Sequence, residues 1–317
     1  MPQRSFRPIM DRRRFLRGLA AGATLPWWGA AAPLAAARPA DRSILTKPIP
    51  TSGESIPAIG MGTWITFNVG ADPDLRDHRA RVLEAFFAGG GGLIDSSPMY
   101  GSSEAVVGHG LRTLGHPQSA FSATKVWHML TGAGEDQMAE SRELWGVERF
   151  DLMQVHNLVN WEGHIETLKA DKDAGRIRYL GVTTSHGRRH AELERVMTDQ
   201  PLDFVQLTYN IRDREAEQRL LPLAAERGIA VIANRPFRQK ALIRRFQDRP
   251  LPAWADEVGA ANWPQFLLKF IVSHPAVTCA IPATSRVDHM RENMGALHGP
   301  VPDAELRRRM IAYVEAL

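Results

Sequence analysis

Four side chains of matched acid–base character end short apolar runs at near-regular intervals. Asp95 and Tyr100 lie in Leu93-Ile-Asp-Ser-Ser-Pro-Met-Tyr-Gly101, Lys125 in Phe121-Ser-Ala-Thr-Lys-Val126, and His156 closes Phe150-Asp-Leu-Met-Gln-Val-His156. Lys125 follows Asp95 by 30 residues and His156 follows Lys125 by 31, about one strand-plus-helix unit each. Parallel neighbouring strands would gather all four at their carboxyl ends, the edge where α/β folds build active sites. A phenol, an ammonium, a carboxylate and an imidazole held together suit proton delivery to a carbonyl better than phosphate or metal chemistry. The free phenol has a pKa near 10, an adjacent ammonium would draw it toward the working range, and a carboxylate would hold that ammonium. Taken singly, each residue has a bland role: a helix cap, half-buried packing, a solvated strand end, a satisfied core histidine. At matched strand ends they point to catalysis.

The elements that would position them repeat along the chain. Apolar β-type runs at Ile59–Trp64, Gly92–Ser96, Phe121–Lys125, Leu152–His156, Tyr179–Thr183, Phe204–Thr208, Ala230–Asn234 and Thr278–Pro282 alternate with helical patterns. Those patterns run over His78–Ala88, Glu104–Leu114, Glu135–Leu144, His164–Ala174, Ala191–Met197, Ala216–Arg227 and Trp263–Ser273, with Val287–Leu297 and Asp303–Ala316 closing the chain. Ahead of them, Ile44–Ile49 and Glu54–Ile56 flank a Pro-Thr-Ser-Gly turn and read as a hairpin. The order and length match an α/β (β/α)8 TIM barrel with an N-terminal β-hairpin. A doubly wound sheet is the other candidate, but it would carry its glycine fingerprint on the first strand–helix turn. Gly89-Gly-Gly-Gly92 follows a helix and precedes a strand, so it reads as a terminator and connector, not a phosphate cradle. The stretch from Arg235 to Pro252 is the least regular and reads as a mobile loop over the site.

The 317-residue chain has a net charge of +4, and the excess sits at one end. Residues 1–37 hold six arginines and one acid, Asp11; without them 33 basic and 34 acidic residues remain. Basicity therefore does not imply nucleic-acid binding. Asp11-Arg-Arg-Arg-Phe-Leu-Arg17 resembles a twin-arginine export motif built on Arg12-Arg13, with a moderately apolar Gly18–Leu34 and small residues at Ala35–Ala37 for cleavage. The apolar stretch is broken by Pro26, Gly29 and Pro33, against a spanning helix. The division expected is a Tat signal peptide at 1–37 and a barrel domain at 38–317. The mature protein is then expected to be soluble and periplasmic, with the Tat machinery as a partner. Cys279, the one cysteine, lies in the apolar run Val277–Ile281, forms no internal disulfide and reads as a buried structural thiol.

With the strands placed, the mature chain resembles the aldo-keto reductase family from Ile59-Gly-Met-Gly-Thr-Trp64 to Ile281-Pro-Ala-Thr-Ser-Arg286 and Arg291-Glu-Asn293. Leu93–Glu104, Thr124-Lys125 and Asp151–His156 supply the motifs. The resemblance implies an NAD(P)H-dependent oxidoreductase that reduces aldehydes or ketones to alcohols by hydride transfer. Tyr100 would be the proton donor, Lys125 its electrostatic partner, Asp95 the anchor of Lys125, and His156 the group that orients the carbonyl oxygen. It implies that Thr183, Thr184 and Gln206 hold the nicotinamide carboxamide, and that Thr284, Ser285, Glu292 and Asn293 hold the adenosine end. Arg286 would read a 2′-phosphate, favouring NADP(H) without excluding NAD(H). The Lys and Arg that many members carry in that segment fall here at Ala283 and His289. Many relatives stack an aromatic under the nicotinamide where this chain has Asn234, so either Arg235 supplies a planar surface or cofactor affinity is reduced. Trp64 and Trp127 are expected to wall the substrate, with Phe67 and His128 as weaker candidates.

His186-Gly-Arg-Arg-His190 has a metal-like spacing but lacks a third ligand, so no metal is expected. Two other functions fit part of the pattern. A Schiff-base lyase would need Lys125 without a carboxylate partner, which Asp95 argues against. An exported nucleotide-binding barrel with a redox-sensing or partner-binding role would not need all four residues.

Overall fold

Side-chain alternation along eight short parallel strands builds this molecule, because every second residue turns into a shared lumen. The computed structural model describes residues 43–317; the leader, with Arg12, Arg13 and the expected cleavage point, lies outside them. An antiparallel hairpin comes first, β1 (Thr46–Pro48) against β2 (Ser55–Pro57). Then β3 (Met61–Gly62), β4 (Leu93–Asp95), β5 (Phe121–Val126), β6 (Phe150–Val155), β7 (Ile177–Thr183), β8 (Phe204–Thr208), β9 (Ala230–Asn234) and β10 (Cys279–Ala280) pair in sequence order, all parallel. Ile59 bridges Ala280, and the Gly60 and Gly62 amides donate to Ala280 and Pro282 at 2.9 and 3.1 Å, closing the barrel.

The helices that return the chain are α1 (Pro73–Ala88), α2 (Ser103–Thr113), α3 (Thr131–Trp145), α4 (Trp161–Asp173), α5 (His190–Asp199), α6 (Leu220–Arg227), α7 (Ala241–Phe246), α8 (Trp263–Val272), α9 (Val287–Met294) and α10 (Ala304–Ala316). Local chemistry marks several starts. Asp72, Asn262 and Asp303 accept from the third backbone N–H of α1, α8 and α10, contacts worth about 1 kcal/mol each. The glycine run does connect α1 to β4: a side chain on Gly91 would meet the Phe86 ring at 2.2 Å, so the close approach requires glycine.

Two apolar layers result. The larger fills the space between helices and strands. The smaller is the lumen, where Leu93, Phe121, Ala123, Leu152, Phe204, Ile232 and Cys279 pack with Ile49 and Ile56 of the hairpin. The hairpin thereby stoppers the amino-terminal end. Two residues further along the same strands, the inward positions change character to Asp95, Lys125, Gln154, Gln206 and Asn234, all buried.

The segment 235–252, read as the least regular, holds one short helix that the reading did not place, α7 at residues 241–246. Leu242 and Phe246, four apart, are buried, and Phe246 stacks on Trp263 with ring centroids 4.8 Å apart. Six residues are too few for periodicity to stand out among flanking arginines, so tertiary packing decides this helix.

Candidate active site

Strand register brings the acid–base group together. Asp95 pairs with Ala123 across β4 and β5, and Lys125 with Gln154 across β5 and β6, so alternate residues of three strands enter the lumen side by side. Lys125 Nζ lies 2.7 Å from Asp95 Oδ2, donates to the Ser96 carbonyl at 2.7 Å, and stands close enough to Tyr100 for the two to perturb each other electrostatically. The other Asp95 oxygen accepts from Gln206 Nε2 at 2.9 Å and Gln154 Nε2 at 3.2 Å. The buried ion pair is thus hydrogen-bonded on both carboxylate oxygens, which offsets the cost of taking the two charges out of water.

Tyr100 sits on the short 3-10 turn Pro98–Tyr100 that follows β4, its ring centroid 5.1 Å from Lys125 Nζ. Burial raises the phenol pKa above its ordinary value; Lys125 pulls it down without cancelling the rise, and Asp95 adds to it. This reverses the net direction expected from Lys125 alone, because desolvation of phenolate outweighs the ammonium. The phenol therefore keeps its proton at neutral pH, the state a proton donor needs. Burial would lower the Lys125 ammonium, but Asp95 and Tyr100 hold it above its usual value. His156 is held down to about 2 by burial and by the Lys125 charge, so its imidazole is neutral. Its ring meets that of Tyr100 edge-on at 5.6 Å.

Glu104, the last residue of the tyrosine motif, is buried beneath this group. It accepts from Thr124 Oγ1 at 2.6 Å, Ser141 Oγ at 3.1 Å and Trp145 Nε1 at 3.1 Å, tying α2 and α3 to the strand that carries Lys125. Burial raises its pKa.

A cavity of about 680 Å3 opens over the carboxyl ends of the strands. Trp64, Asp95, Tyr100, His156, Thr183, Thr184, Gln206, Asn234 and Arg235 all line it. Asn234 does not lie flat as a stacking surface. Its amide donates to the Thr184 carbonyl at 2.8 Å and its oxygen accepts from Thr208 Oγ1 at 2.8 Å, which ties the ends of β7, β8 and β9 together. Arg235 holds a left-handed φ of 53° and donates to His186 Nε2 at 2.6 Å. Arg188 and Lys240 join it on the cavity wall, and among the described residues the one carboxylate lining the cavity is Asp95, already bound to Lys125. That wall is therefore cationic.

Other expected residues lie elsewhere. Trp127 does not wall the cavity. Gln137 takes its backbone N–H and carbonyl at 2.7 and 3.2 Å, the chain turns there, and the indole is left 41% exposed. Phe67 is packed in the core and His128 is half-buried beside Leu130. Thr284, Ser285, Arg286, Glu292 and Asn293 follow β10 on its loop and α9, beyond the cavity lining, which reaches Ala283. Arg286 is exposed and grips Asp288, Nε to Oδ1 at 2.9 Å with a second contact through Nη2. The partner roles of Gln154 and Glu104 escaped sequence reasoning; the inward position two residues after Leu152 was the available signal for Gln154.

A (β/α)8 barrel with a Tyr–Lys–Asp–His group at one mouth defines a class of carbonyl-handling enzymes, and comparison with known proteins agrees. The model of the aldo/keto reductase family matches residues 58–312, and the chain belongs to that family. It is 29% identical over 282 residues to the methylglyoxal reductase YeaE of Escherichia coli, covering 84% of this chain and 95% of that one. It is 25% identical to the NADH-specific methylglyoxal reductase of E. coli, covering 84% and 98%. Among solved structures, the fold matches an aldo/keto reductase from Klebsiella pneumoniae in complex with NADP and acetate. That match has a TM-score of 0.70 and 24% identity, over 83% of this chain and 93% of the other. The glycerol dehydrogenase AKR11B4 of Gluconobacter oxydans matches with a TM-score of 0.71 and 21% identity, over 86% and 95%.

Proposed function

We propose that this protein is an NADP(H)-dependent reductase of aldehydes or ketones, with Tyr100 as the proton donor, and that it works outside the cytoplasm. The observation that carries the catalytic reading is Lys125 paired with Asp95 at 2.7 Å, its Nζ 5.1 Å from the ring centroid of Tyr100, which lines the cavity. Thr183, Thr184, Gln206 and Arg235 fit a nicotinamide nucleotide along one wall, and the cationic stretch with Arg188 and Lys240 suits its diphosphate. When bound there, such a nucleotide would supply the hydride for the carbonyl carbon.

The protein supplies the rest. Trp64 closes the apolar side of the pocket. Neutral His156 donates a hydrogen bond to the carbonyl oxygen and sets its direction. As negative charge grows on that oxygen, Tyr100 transfers its proton. Phenolate then forms beside Lys125, whose charge stabilises it, and Asp95 with Gln154 and Gln206 keeps the ammonium from moving. Two relatives are methylglyoxal reductases, which makes small 2-oxoaldehydes the first substrates to try.

Purified protein given NADPH and a panel of aldehydes should consume NADPH in proportion to the alcohol formed. No turnover with any of them, despite nucleotide binding, would favour the non-catalytic barrel instead. The leader supports the location: Arg12-Arg13, an apolar stretch and Ala35–Ala37 make a twin-arginine signal, and that route carries folded, nucleotide-loaded protein. Replacing both arginines by lysine should trap the precursor inside; normal export of that variant would reject the assignment.

A further inference from the structure

Ser97 lies two residues after Asp95, in extended backbone at the start of the turn that carries Tyr100. It is fully buried, and its Oγ is 2.8 Å from His156 Nδ1. The same oxygen accepts the Met99 N–H at 3.2 Å. We propose that Ser97 is a positioning residue that donates its hydroxyl proton to His156 Nδ1, thereby placing the single imidazole proton on Nε2, where it faces the carbonyl oxygen.

A serine hydroxyl has one proton and two lone pairs. The Met99 amide takes one lone pair, and the nearest acceptor for the proton is His156 Nδ1. If the imidazole proton sat on Nδ1 instead, it would point at Ser97 and leave the hydroxyl proton buried without an acceptor, a cost comparable to a lost hydrogen bond. The consequence reaches the chemistry. With the proton on Nδ1, the nitrogen lining the cavity would present a lone pair to the carbonyl oxygen and repel it. With the proton on Nε2, the ring adds a second donor beside Tyr100, whose ring it meets edge-on at 5.6 Å. The turn links the two roles: Ser97 caps the three residues that end in Tyr100, so the proton donor and the orienting imidazole are set by one side chain. The inference uses the proposed carbonyl reduction only for the purpose of the donor, and the tautomer can be read without turnover.

The test is nitrogen NMR on the full protein labelled with [15N]histidine, with the His156 signals assigned by their loss in His156→Asn. Nδ1 should appear unprotonated with the shift of a hydrogen-bonded acceptor, and Nε2 protonated. A proton on Nδ1 in the wild type overturns the proposal. In Ser97→Ala the Nδ1 signal should move to the position of a free lone pair. The kcat should fall roughly 10- to 100-fold with nucleotide Kd unchanged, short of the ~10²–10³-fold typical of deleting an oxyanion donor outright. Ser97→Thr, which keeps the hydroxyl, should restore most of both. Wild-type kcat and an unmoved Nδ1 signal in Ser97→Ala would sink the idea; if that variant does not fold, the wild-type spectrum alone decides. An Nε2–H tautomer in a protein that reduces no carbonyl would count against the reductase function and for the hydrogen bond.

Discussion

Gln206 Nε2 lies 2.9 Å from Asp95 Oδ1, joining two residues that are 111 positions apart. The glutamine expected from resemblance to face a carboxamide thus also braces the carboxylate that holds Lys125. It accepts from Asn234 Nδ2 at 3.4 Å, so the brace extends to β9. Gln206→Leu should leave Asp95 Oδ1 with Gln154 alone and lower stability by about 1–3 kcal/mol, the range for a buried acceptor losing a partner. Urea unfolding measures it, and an unchanged midpoint would show that the bond contributes nothing.

Tyr100→Phe keeps the ring and removes the transferable proton. Carbonyl reduction should drop on the order of 10²–10⁴-fold while nucleotide binding stays near wild type. Steady-state rates with NADPH, alongside fluorescence titration of the nucleotide, separate the two effects. Near-normal turnover would take Tyr100 out of the mechanism.

His156 predicts an acid-side loss of stability. Its folded pKa is depressed from 6.5 to about 2, so the unfolded chain takes up a proton as pH falls below about 6.5 while the folded one does not. Stability from this residue is therefore intact above that pH and declines throughout the window below it, by roughly 2 kcal/mol at pH 5. His274, lowered to about 4 by burial and by Arg307, acts with the same sign. Unfolding free energies at pH 7.5 and 5 should show the wild type losing more than His156→Gln; equal losses would contradict a buried neutral imidazole.

Arg286 and Asp288 set up a competition for coenzyme choice. A 2′-phosphate read by Arg286 must share the guanidinium with a carboxylate already bound to it. Asp288→Asn should tighten NADPH relative to NADH by roughly 2- to 5-fold, the scale of an exposed ion pair. Equal changes for both coenzymes would show that Arg286 does not meet the phosphate.

The barrel was legible because each strand reads as its own short apolar run followed by a helical pattern, and the chain spacing of Asp95, Tyr100, Lys125 and His156 is a local property of strand-plus-helix units. What stayed hidden depends on contacts across the lumen. Gln154 and Gln206 look like ordinary strand residues until register points both amides at Asp95. Trp127 follows β5 as Trp64 follows β3, yet Gln137 turns its backbone away. The short helix α7 is stabilised by Trp263, 17 residues beyond Phe246, a partner no local window contains.

Cys279 sits in the closed lumen, where burial pushes its thiol up and a side chain on Gly60 would come within 3.0 Å of its sulfur. It is the one cysteine in the chain. No alkylating reagent reaches that sulfur unless the strands part, so the protein carries an internal gauge of its own opening. The rate at which the thiol becomes labelled would count excursions to the unfolded state under native conditions, with no engineered probe and no denaturant.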